Sequence, residues 1–173
     1  FRLQYNETHL AYLQRIIERE GIYYYFEQSD SGEVLVFCDN NQALPSISQA
    51  QSTTRVVFQP SSGLNVVSQA NTINSIICKR QTLPKKVTLR DFNDETPSLD
   101  IRGTHVINST GMGEINLYGL NITSPEEGQQ LAEIHANAYL SRQKSYICQG
   151  DVATMTMGHT FTLSDHPRDN FNQ

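Results

Sequence analysis

Any chemistry in this chain has to come from a small set of side chains. Five histidines are present: His9, His105, His135, His159 and His166. None has the close pairing that builds a metal site, such as two histidines four apart on one helix with an acid between them. His159 and His166 are separated by an odd spacing in a strand-rich stretch, which puts them on opposite faces of a regular strand. Asp91-Phe92-Asn93-Asp94-Glu95 opens like a calcium loop. However, Thr96 stands where that loop needs glycine, and Arg102 where it needs a bidentate glutamate. Gly111-Met112-Gly113 lacks the third glycine of a nucleotide loop and leads into an expected strand, whereas phosphate needs a helix N-terminus. There is no Gly-x-Ser-x-Gly elbow. Cys78, before Lys79-Arg80, has the only electropositive setting for a thiol, but it follows Ile76-Ile77 in an expected strand and reads as a buried, inert group. A glycosidase needs only two acids at a set separation in space, and Tyr23-Tyr24-Tyr25-Phe26 would offer a sugar a stacking platform. Aromatics alternating along a strand beside a helix are more often core, and the chain has no Trp. No residue is assigned a catalytic, cofactor-binding or metal role, and no cofactor is expected.

The elements that position these groups follow from periodicity. From Asn6 to Gly21, Leu10, Leu13 and Ile17 recur at helical spacing, with Tyr12 and Ile16 widening the stripe. Asn6 or Thr8 can cap the start, and Gly21 ends the helix. The period then changes: Ile22 to Phe26 and Val34 to Cys38 read as an antiparallel hairpin turned at Ser29-Asp30-Ser31-Gly32. Asp39 to Gln51 reads as a loop and Thr53 to Phe58 as a strand. Further strands are expected at Asn65–Val67, Ile73–Lys79, Val87–Phe92, Leu99–Val106, Glu114–Tyr118, Ser145–Cys148, Val152–Met157 and Phe161–Leu163. Ser124-Pro125-Glu126-Glu127 predicts a second helix, with a cap, Pro at the first helical position and a Glu placed to close a capping box. Leu131, Ile134 and Ala138 would carry its buried stripe to about Arg142. Turn formers around Gly63 to Asn65 divide the chain into 1–64, a helix with a β-hairpin, and 65–173, a barrel-like part with one helix. The fold class is α+β, mostly antiparallel strands with two helices.

Composition narrows the partners. The 173 residues carry a net charge of −5, which argues against a dedicated nucleic-acid binder. Lys79-Arg80 and Lys85-Lys86 flank a Pro-containing turn and read as a solvated hairpin tip. Ser, Thr, Asn and Gln number 56, a polar uncharged surface that suits turn-rich β-structure. No stretch approaches the roughly 20 apolar residues that cross a bilayer. Three widely spaced cysteines, Cys38, Cys78 and Cys148, fit buried free thiols in a reducing compartment better than a disulfide framework.

Three stretches, in order, resemble one family. Tyr5-Asn6-Glu7-Thr8 through Leu13 continues into Arg15-Ile16-Ile17-Glu18-Arg19-Glu20-Gly21-Ile22-Tyr23-Tyr24-Tyr25-Phe26. Val87-Thr88-Leu89-Arg90-Asp91-Phe92 and Pro97 follow, then Gly158-His159-Thr160-Phe161-Thr162-Leu163 and His166-Pro167. Together they resemble the VgrG family, the spike proteins of type VI secretion systems, and the related hub (late control D) proteins of contractile phage tails. The resemblance implies a structural, non-enzymatic hub module of a homotrimer, with two barrels per chain. Six barrels in a ring would match the hexameric Hcp-like tube, with effector or spike-tip proteins held by other regions. It further implies a hub-region segment that starts inside the hub and stops before the strands completing its barrel, with no β-helical needle. Such a protein waits in the bacterial cytoplasm and is then secreted or delivered; its assembly pierces the target membrane, which this segment does not bind, and it takes no nucleic acid. A baseplate hub of a phage or phage-like particle is the alternative, and a carbohydrate-active cell-wall enzyme a more distant one.

Overall fold

Thr8, not Asn6, starts the first helix. Its hydroxyl accepts the Ala11 N–H at 3.2 Å, and α1 runs His9–Arg19. Gly21 ends it at φ 73°, the left-handed conformation that glycine adopts without a Cβ clash. The computed structural model describes residues 3–40, 44–47, 55–60 and 71–172. The remaining elements are β1 Tyr23–Ser29, β2 Gly32–Cys38, β3 Val56–Phe58, β4 Thr72–Arg80, β5 Lys86–Asp91, β6 Ile101–Val106, β7 Glu114–Tyr118, α2 Pro125–Leu140, β8 Lys144–Asp151 and β9 Leu163–Ser164, followed by a short 3-10 turn, Asp169–Phe171. The class is α+β, and no sheet among the described residues closes into a barrel.

The strands form three open sheets: β1-β2, β8-β4-β3-β9 and β6-β5-β7. The longer ladders are antiparallel, β1 with β2 and β5 with β6. Parallel pairs join β5 to β7 and β3 to both β4 and β9. Contacts group the chain into two interleaved units, Phe1–Ile22 with Arg80–Ser145 and Tyr23–Lys79 with Tyr146–Gln173. The division expected near Gly63 to Asn65, like the strand Asn65–Val67, lies outside the described residues.

In the first unit α2 lies across β6 and β5. Its core holds Leu83, Val87, Leu89, Ile101, Ile107, Ile122, Leu131, Ala132 and Ala136. The helix comes close enough that a Cβ on Gly103 of β6 would overlap the carbonyl of Gly128. The buried stripe is therefore Gly128, Leu131, Ala132 and Ala136, with small residues at the contact, and Ala138 is exposed. In the second unit Ile47, Val56, Ile73 and Leu163 are buried together. Ile47 belongs to the stretch expected as a loop; its N–H donates to Thr160 O at 2.9 Å, beside a parallel bridge from Ser46 to Thr160. Val152 to Met157 forms turns instead of the expected strand, while β8 runs longer than expected.

Candidate functional site

The most densely bonded place in the first unit is the entry to α2. Ser124 Oγ accepts the Glu127 N–H at 3.2 Å, as the capping pattern predicts. The return bond differs. Glu127 Oε2 reaches one residue past the cap and accepts both the N–H and the hydroxyl of Thr123, at 2.9 and 3.0 Å. Its other oxygen meets Arg19 of α1 at 2.8 Å. The Thr123 amide, and then Arg19, hold the Glu127 carboxyl below its ordinary range. Arg19 also donates to the carbonyls of Leu120 and Asn121.

Asp91 fixes the same loop from the sheet. One carboxylate oxygen accepts the Phe92 N–H and the other the Ile122 N–H, each at 2.9 Å. Asn93 Oδ1 accepts from Glu95 and Thr96, and its amide donates to Thr123 O at 3.3 Å. The Asp-Phe-Asn run is thus a structural clasp: its oxygens are spent on backbone amides. The bonds from α1 to this loop come from Arg19 in its last turn. None of its residues is buried, although Leu10, Leu13 and Ile17 line one side.

In the second unit the aromatic run divides between two faces. Tyr25 is buried against Gly158, with the His159 ring edge-on at 6.3 Å. Burial, and then Glu27, push its phenol up. Tyr24, Phe26 and Phe37 lie on the other face, Tyr24 at 6.1 Å from both, with Phe26 and Phe37 exposed. The core reading of this run therefore holds for Tyr25 alone.

The histidines stay apart. His9 meets Gln4, His105 lies on β6, and His135 is half-buried on α2, where burial lowers its pKa. His166 is packed between Phe58 and Phe171, at 4.3 and 4.6 Å. Among the described residues no group of three His, Cys, Asp or Glu could hold a metal ion. The three cysteines are free, but none is buried: Cys38 and Cys78 are half-buried and Cys148 is exposed on β8. The outer strand β8, exposed along its whole length, is a feature that sequence reasoning missed.

Comparison with known proteins gives the class. The chain belongs to the phage tail baseplate hub (GPD) family, whose model matches residues 1–173. It is similar to the type VI secretion system spike protein VgrG5 of Pseudomonas aeruginosa, 32% identical over 98% of this chain and 21% of the relative. The spike protein VgrG1a of the same organism is 26% identical over 99% of this chain and 26% of its own length. The chain thus spans about a fifth to a quarter of these relatives. Among solved structures, the 43 kDa tail protein of prophage MuSo2 from Shewanella oneidensis shares the fold, with TM-score 0.59 and 10% identity, covering 95% of this chain and 47% of that one.

Proposed function

We propose that this chain is a hub segment of a type VI secretion spike, a structural part that couples a trimeric spike to the hexameric Hcp tube during contraction. The observation that carries the reading is 32% identity to a type VI spike protein along nearly the whole chain. The geometry supports it: polar side chains at the conspicuous motifs are used up in caps and clasps, while apolar side chains of α1 and the hairpin remain exposed, as suits a part that works by shape and interface. A baseplate hub of a phage-like particle is the second reading, favoured by the fold shared with a prophage tail protein. The segment is proposed to catalyse nothing, so peptidoglycan zymography with a hydrolase control should show no clearing band for it.

The test is genetic. Deleting the gene that carries this chain should remove Hcp from the culture supernatant, and complementation should restore it. Unchanged Hcp release, in a strain without a second spike gene, would favour the phage-like reading.

A further inference from the structure

The face of the β6-β5-β7 sheet away from α2 is laid out in three cross-strand rows, and two of them each hold a side-chain pair. In the row Val106–Lys86–Glu114, Lys86 Nζ meets Glu114 Oε1 at 3.0 Å. In the row Thr104–Thr88–Asn116, the two threonine hydroxyls are 3.3 Å apart. The third row is Arg102–Arg90–Tyr118. Here two guanidinium groups stand on directly opposed residues, a pairing that destabilises a sheet when nothing lies between the charges.

Among the described residues, no Asp or Glu side chain forms an ion pair with either arginine. All 18 Asp and Glu residues lie among the described residues. The ion pairs they form go to Arg15, Arg19, Arg55 and Lys86. Asp91, next in sequence to Arg90, points to the opposite face and is bonded to the Phe92 and Ile122 amides. Arg90, Arg102 and Tyr118 are all exposed, Tyr118 at 72%. A chain with net charge −5 thus keeps two arginines on opposed residues without an ion pair, on a face whose other rows each hold a side-chain pair.

We propose that this row is a docking site for an acidic protein partner, one of whose carboxylates is gripped between Arg90 and Arg102. The inference is independent of the spike reading. Charge complementarity selects the occupant: two arginines on directly opposed residues can both reach one carboxylate, each giving charge-assisted bonds. Thr104, Asn116 and the Tyr118 ring offer hydrogen bonds and a flat surface beside it. A nucleic acid is disfavoured, because it needs a longer run of cations, and this face carries Glu114 on an acidic chain.

The test follows the side-chain Nε–Hε signals of Arg90 and Arg102 by NMR in the 173-residue chain. The probe is a capped Thr-Glu-Thr-Glu-Thr peptide, run beside its lysine counterpart, a single-stranded oligonucleotide and NaCl of matched ionic strength. Both signals should move together on one curve with the acidic peptide alone. Arg102→Gln should weaken that binding roughly tenfold, the loss of one charge-assisted bond, with the Arg90 signal moving along the same weakened curve. Without peptide, Arg90→Gln and Arg102→Gln should each leave the urea midpoint equal or higher, since each removes a like-charge contact. Shifts that track ionic strength alone, a stronger response to the oligonucleotide, or a lowered midpoint in either variant would overturn the proposal.

Discussion

Ser124 and His135, both on or beside α2, make opposite demands on the solvent. Ser124 Oγ takes the Glu127 amide that would otherwise be an orphan of the first turn, so Ser124→Ala should cost about 1 kcal/mol. A urea midpoint equal to that of the parent chain would count against this cap. His135 is half-buried, and burial is the largest cause of its lowered pKa; Glu18 opposes the shift and Arg19 adds to it. A base whose pKa is lower in the folded chain binds fewer protons there than in the unfolded chain. Its contribution is therefore fully present above the unfolded value of 6.5 and is lost as pH falls toward the folded value. Urea midpoints measured from pH 7.5 down to 5 should fall more steeply for the parent than for His135→Gln, and parallel curves would contradict the burial argument. The cap was legible because Ser-Pro-Glu-Glu is a local signal. The one-residue shift of Glu127 to Thr123 was not, and the same carboxylate also meets Arg19, which is distant in sequence.

Elements show the same division between local and distant information. Period and turn chemistry located α1, the hairpin, β7 and α2, because each is marked by its own residues. What they pack against was hidden. Ala132 and Ala136 displaced Ala138 from the buried stripe because the backbones of α2 and β6 nearly touch, a contact no helical wheel contains. A methyl group at Gly103 would have to push Gly128 away. Gly103→Ala should therefore destabilise the chain by about 3 kcal/mol, checked by urea denaturation; a loss below about 1 kcal/mol would mean the helix moves freely. The parallel pairs were likewise illegible, because register between distant strands leaves no mark in either. The sheet edges differ in protection. Gln129 on α2 accepts the Thr104 N–H at 3.2 Å and donates to its carbonyl at 3.1 Å, so its amide caps edge strand β6. Edge strand β8 is exposed throughout. Unprotected edges recruit other strands, so sedimentation velocity on the isolated chain should show weak, concentration-dependent self-association. A sharp monomer at every concentration would contradict it.

At the scale of the whole molecule, the calcium-loop and nucleotide-loop readings could be set aside from sequence, because each motif lacks a residue that its chemistry requires. Structure adds the positive use of those residues: Asp91 and Asn93 hold the loop into α2, and His166 fills an aromatic cluster. The exposed apolar side chains were least legible, since an exposed Leu10 or Phe37 looks in sequence like any buried one. A hub segment is expected to look this way, its apolar side chains reserved for neighbours in an assembly. The most direct measurement is electron microscopy of the full-length protein carrying this chain, mixed with purified Hcp rings. The account predicts threefold particles seated on the face of a hexameric ring. A trimeric protein that leaves intact rings uncapped over a wide concentration range would contradict it.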